Sequence, residues 1–187
     1  MSRRFARFAT VTPGVALLAL TACSDGTTTQ LDSAELSPSF GMHAQSTGNR
    51  TLAAIRAATA RYHRMEVATD AGYVPITPCV ALPSGEAAMG FHYGNPGLIE
   101  DGGVIDIATP EALVYAPWRD GELRLVAVEY LILEGDWTEE AAPEMLGHEF
   151  HFVEDAGVWG FHAWIWQHNP DGVFADFNPR MSCDGTP

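Results

Sequence analysis

Three polar side chains stand where a sequence of this texture should be apolar. His92 lies between Phe91 and Tyr93, Glu129 interrupts the run LVAVEYLIL, and His162 lies between Phe161 and Ala163. An imidazole or carboxylate in the middle of an apolar run needs a partner or a cavity to offset the loss of water. Two imidazoles and one carboxylate drawn from three strands can form a facial site for a divalent transition metal, with open coordination positions. The same groups can also form a Glu129–His162 acid–base pair suited to a hydrolase or isomerase. A third reading is a polar network that only fixes strand register. No spacing motif selects among the three.

Other histidines carry less. The segment GHEFH, Gly147 to His151, resembles a zinc-protease motif, but that motif sets two histidines four apart on a helix. Here His148 and His151 are three apart in a segment that reads as loop or strand. In an extended chain such residues point to opposite faces, so at most one can lean into a pocket as an accessory ligand. His168 is six residues beyond His162, roughly 20 Å along a strand, too far to share an ion. The alternation in GFHAWIWQHNP sets His162, Trp164 and Trp166 on one face. Together with Tyr93 these tryptophans are the aromatic lining expected of a ligand pocket, although large aromatics on an inward face also simply fill a core.

The elements that must position these groups can be read in order. RTLAAIRAATARYHRMEVATDAGY repeats Leu52, Ile55, Ala58, Tyr62 and Met65 at helical spacing, with Asn49 to cap it and Gly72 to end it. VPITPCVALPSGE carries three prolines and reads as an irregular loop. AMGFHY, EALVYAPW and ELRLVAVEYLIL are rich in branched and aromatic residues and read as strands, the last two joined by a hairpin at RDGE. Period two in the longest strand puts Val126, Val128, Tyr130 and Ile132 on one side. Leu125, Ala127, Glu129, Leu131 and Leu133 fall on the other, so both of its faces are covered. DWTEEAAPEMLG reads as a short helix or turn. Asn95-Pro96, Asn169-Pro170 and Asn178-Pro179 each suit a turn in which the Asn side chain bonds local backbone. The expected fold is α+β: one long N-terminal helix packed on a curved antiparallel sheet of four or more strands.

The N-terminus speaks to location. Arg3, Arg4 and Arg7 precede the short apolar run VALLAL, far below the ~20 residues of a membrane span, so residues 1–22 read as a cleaved export signal. LTAC, ending in Cys23, resembles a lipobox, which makes Cys23 the expected lipidation site. An ordinary signal peptide cut near the same place is the alternative. Residues 23–48 are rich in Ser, Thr, Gly and Asp and read as a flexible tether. Residues 49–187 remain as a single globular domain. With Cys23 acylated, Cys79 and Cys183 are left, and an oxidising compartment makes a disulfide between them the default.

Charge excludes some partners. There are ten Arg, no Lys and 24 acidic residues; without the signal's three Arg, seven basic residues face 24 acidic ones, a net charge of −17. Such a surface repels nucleic acid and cannot grip anionic lipid by itself. Contact with a bilayer must come through acyl chains on Cys23.

MGFHYGNPGLIEDG, PEALVYAP, LVAVEYLI and FHAWIWQHNPDGVFADFNP resemble shared blocks of an uncharacterised family of exported bacterial proteins, often lipoproteins. The resemblance covers most of the chain from about Tyr62 to Cys183. It implies one exported domain and includes His92, Glu129 and His162 within its blocks, without a role for them. The expected protein is thus an extracytoplasmic lipoprotein, anchored to the cell membrane or outer membrane, that binds a metal ion or small ligand in a His/Glu/Trp-lined pocket. A structural envelope lipoprotein without ligand is the non-enzymatic alternative.

Overall fold

The computed structural model describes residues 39–185; the expected signal and Cys23 lie outside that range. Helix α1 spans Ser39–Thr59, a 3-10 turn follows at Ala60–His63, and α2 spans Met65–Asp70. The single rod expected from Arg50 onward is therefore interrupted, and α1 begins inside the segment read as a tether. Two hydrogen bonds accompany the interruption, one from a distant strand and one within the helix. The carbonyl of Tyr62 accepts a hydrogen bond from the buried Tyr115 hydroxyl at 2.6 Å. Thr59, fully buried, turns its hydroxyl back onto the Ile55 carbonyl at 2.8 Å, a pairing that bends helices. The apolar stripe itself is realised: Ile55 and Tyr62 are buried, and Leu52 and Met65 are partly buried against the core.

The proline-bearing segment after α2 is more ordered than expected. It supplies two short strands, β1 (Val74–Pro75) and β2 (Val80–Ala81), both antiparallel to β3 (Ala88–Gly94). A four-residue helix, α3 (Pro96–Ile99), follows, with the Asn95 side chain accepting from the Gly97 amide. The long strands β4 (Ala112–Pro117) and β5 (Leu123–Leu133) form the expected hairpin, turned at Gly121 with φ +82°. The segment from Asp136 that reads as a short helix or turn starts at the end of a 3-10 turn, residues 134–136, and holds no further helix. A small hairpin then joins β6 (Glu144–Met145) to β7 (His148–Glu149) through Leu146 and Gly147, both at positive φ. Strands β8 (His151–Val153) and β9 (Val158–Ala163) complete the sheet.

The architecture is α+β, with an antiparallel sheet in the order β1-β3-β4-β5-β9-β8 and β2 paired to β3; the sheet is not strongly curled. One face carries the main core, where Leu113, Tyr115, Val128, Tyr130 and Phe161 meet Ile55 and Tyr62. The other face holds a smaller core of Val114, Val126, Ala127, Trp164 and Met181. This second face is covered by the C-terminal tail, held through the Trp164 amide to Val173 O, the Trp164 indole to Ala175 O, and a bridge between Ala88 and Asn178. The Cys79–Cys183 disulfide fastens the end of the tail beside β2.

All three Asn-Pro pairs act alike. Each Asn Oδ1 accepts from the amide two residues on: Asn95 from Gly97, Asn169 from Asp171 and Asn178 from Arg180. Each Nδ2 donates to a more distant carbonyl, those of Ala71, Phe177 and His168 respectively. The side chains thus shape a turn and clip it to a second segment.

Candidate metal centre

Sheet register decides which side chains share a face. Glu129 on β5 pairs with His162 on β9 and with Ala112 on β4; His92 on β3 pairs with Val114 on β4, which pairs with Ala127 on β5. Paired residues of an antiparallel ladder project to the same side, so His92, Glu129 and His162 all rise from the face beneath the C-terminal tail. The side chains between them on this face are those of Ala112, Val114 and Ala127. On β3, strict alternation buries Ala88, Gly90, His92 and Gly94 on one side.

One donor atom from each of the three residues lies within 4.8 Å of the other two. His92 Nε2 is 3.3 Å from His162 Nε2 and 3.5 Å from Glu129 Oε2, while His162 Nδ1 is 3.6 Å from Glu129 Oε1. Two donors about 2.05 Å from a common zinc ion at the tetrahedral angle are themselves about 3.3 Å apart. The two separations around His92 Nε2 are close to that edge length. His92 also has an outer partner: its Nδ1 meets Thr77 Oγ1 at 3.0 Å, and Thr77 Oγ1 accepts the His92 amide at 3.2 Å. An Nδ1–H donated to Thr77 would leave Nε2 as the free lone pair, the arrangement usual for a ligating histidine.

Burial sets the charge states. His92 and His162 are almost inaccessible, and Glu129 is 9 % exposed. Desolvation pushes the His92 pKa down to about 4 and holds that of His162 well below the usual imidazole value, the latter helped by the charges of His92 and His151. Desolvation raises Glu129 to about 8, with Asp176 and Glu111 adding repulsion. All three shifts favour the uncharged forms, which weakens the His–Glu contacts as ion pairs. A divalent ion would restore the carboxylate, because its own charge inverts these shifts. Gly160 makes room for that carboxylate: a Cβ there would stand 3.0 Å from Glu129 Oε1.

The aromatic lining expected around the site is only partly realised. Trp164 stacks on His162, with ring centroids 6.0 Å apart and planes 14° from parallel. Trp166 does not follow it. Strand β9 ends at Ala163, the Ile165 amide bonds back to Ala163 O, and Trp166 swings to the helix side, where it meets the His63 ring and donates to Thr59 Oγ1. Tyr93 alternates with His92 and packs on Tyr115 in the main core. A bulge in β5 also changes the expected faces: Val114 pairs with Ala127 and Tyr115 with Leu125, so Val126 is the extra residue. Leu125 therefore joins the main core and Val126 the smaller one.

The chain matches no protein family, no curated protein and no solved structure. The chemistry of the site must therefore be read from its own geometry. The GHEFH histidines separate, as opposite faces require. His148 rests against the Phe174 ring. His151, paired with Gly160, lies on the face of the buried trio and bonds Asp176 Oδ2 through Nδ1 at 2.7 Å. Asp176 was not legible as part of this neighbourhood, since nothing in ADFNP marks it. His168 lines a separate cavity with Arg56 and Trp166. A further groove of about 450 Å³ runs between His63, Trp118 and Trp166 on another part of the surface.

Proposed function

We propose that this protein binds one divalent transition-metal ion through His92 Nε2, Glu129 and His162, and that it does so outside the cytoplasm, anchored by lipid on Cys23. The observation that carries the metal reading is the convergence of these three donors from β3, β5 and β9, two of their separations being close to a tetrahedral coordination edge. A mixed imidazole and carboxylate set suits zinc or iron(II), with open positions for water or substrate. The extracytoplasmic address is supported by the N-terminal sequence and by the Cys79–Cys183 disulfide, a bond that persists in oxidising compartments.

Full-length protein loaded with Zn²⁺ and dialysed should retain one ion per chain by elemental analysis, and His92→Ala and His162→Ala should each retain none while still folding. Metal-free wild type after this treatment would reject the centre. It would favour a structural polar network instead, a reading supported by the fact that every buried side-chain nitrogen and oxygen among the described residues has a hydrogen-bond partner. Lipidation is tested separately: labelled fatty acid should enter the wild type and not Cys23→Ala.

A further inference from the structure

Among the described residues, His151 is a neighbour of the buried trio that is exposed, titratable and on the same face. His151 pairs with Gly160 on β9, and Gly160 pairs in turn with Leu131 on β5, two residues from Glu129. Gly160 has no side chain, and the Glu129 carboxylate leans into that gap, its Oε1 3.0 Å from the point a Cβ would occupy. The β9 residue paired with His151 therefore places no side chain between Glu129 and the imidazole on β8. His151 and Asp176 have side-chain exposures of 60 % and 34 %, against 11 % for Glu129. The charge of Asp176 is near enough to act on Glu129, and that of His151 on His162.

The orientation of His151 is specific. Its Nδ1 is 2.7 Å from Asp176 Oδ2, so Nδ1 carries a proton, and in the neutral imidazole Nε2 is the atom with the lone pair. Among the described residues nothing hydrogen-bonds Nε2. A carboxylate behind an imidazole is the arrangement that fixes the tautomer and raises the basicity of metal-binding histidines. Here it occurs at the surface, one glycine away from a set of donors almost closed to solvent.

We infer that His151, oriented by Asp176, is the receiving ligand of the centre: a divalent transition ion binds its Nε2 first and then crosses the Gly160 gap to Glu129, His92 and His162. This rests on the metal reading given above. A ligand that passes the ion on without keeping it lowers the barrier in both directions, so it sets rates and leaves the final affinity alone.

The test mixes metal-free full-length protein with Zn²⁺ and follows tryptophan fluorescence, which Trp164 on His162 should make sensitive to loading. A competing chelator measures release and equilibrium affinity. His151→Ala should slow uptake and release together by roughly tenfold, within the range that single substitutions change association rates, with affinity held within about twofold. Asp176→Leu should slow uptake as His151→Ala does. Asp176→Asn, whose oxygen still accepts from Nδ1, should recover most of the rate. A purely structural role of the pair would shift the thermal midpoint of the metal-free protein and not separate Asn from Leu in uptake rate. Unchanged uptake in His151→Ala, or weakened affinity at unchanged uptake, would overturn the inference while leaving the metal centre standing. Wild type that takes up no Zn²⁺ would end both.

Discussion

Gly160→Ala is the sharpest perturbation of the candidate centre, because the fold gives it almost nothing else to disturb. Gly160 does not lie at positive φ, so alanine meets no backbone penalty there. Its methyl would lie 3.0 Å from Glu129 Oε1, 3.8 Å from Leu131 Cδ2 and 3.9 Å from Glu129 Cδ. Only the first contact is too close, and a shift of the carboxylate by a few tenths of an ångström relieves it. The lost chain freedom of the unfolded state favours alanine by about 0.4–1 kcal/mol, which should offset most of that displacement. A carboxylate moved by this amount is poorly placed for an ion held by His92 and His162. Changes that misplace metal ligands without removing them weaken binding about 10- to 100-fold, or about 1.4–2.7 kcal/mol. Chelator competition for Zn²⁺ reads the affinity, and urea unfolding of the metal-free protein reads the fold. Wild-type affinity in a folded Gly160→Ala protein would refute Glu129 as a ligand.

Other consequences are independent of metal. Gly90 has φ +121°, and a Cβ there would press on the Tyr115 carbonyl oxygen of the neighbouring strand; Gly90→Ala should cost about 2–4 kcal/mol, and an unchanged urea midpoint would contradict the β3–β4 pairing. The disulfide closes a loop of 104 residues, so Cys79→Ser with Cys183→Ser should lose up to about 4–5 kcal/mol by the chain-entropy estimate, again read by urea unfolding. Glu111 is 1 % exposed, and desolvation raises its pKa from 4.5 to about 7. A raised carboxylate binds its proton more tightly in the folded state, so its contribution is complete below pH 4.5 and is lost as pH rises through about 7. The stability of wild type relative to Glu111→Gln should therefore fall by as much as about 3 kcal/mol across that window; parallel pH profiles would show that the buried carboxyl is not the cause.

How much of this was legible depends on whether a feature follows from local period. Glu129 and His162 could be set opposite one another because both strands are regular at that point and period two alone decides the face. His92 followed by the same alternation, two strands away. The misses fall where regularity stops. Val126 is the extra residue of a bulge, and a bulge leaves no mark in an unbroken apolar run, so Leu125 and Val126 exchanged faces. Trp166 was placed by extending an alternation past Ala163, where a turn sends it to the helix side. The helix broke at Ala60–His63 because Tyr115, more than fifty residues on, draws off a carbonyl. Asp176 beside His151 depends on the path of the tail, which no periodicity encodes.

The cover over the trio is a strap of chain. Residues 173–178, including the aspartate that steers His151, lie between Trp164 and Cys183, and Cys183 is joined to Cys79. In a reducing cytoplasm that strap would lack its rivet. On the proposed metal reading, the cation would then be drawn from whatever supply surrounds the protein after oxidation, so geography as much as ligand chemistry would choose the element.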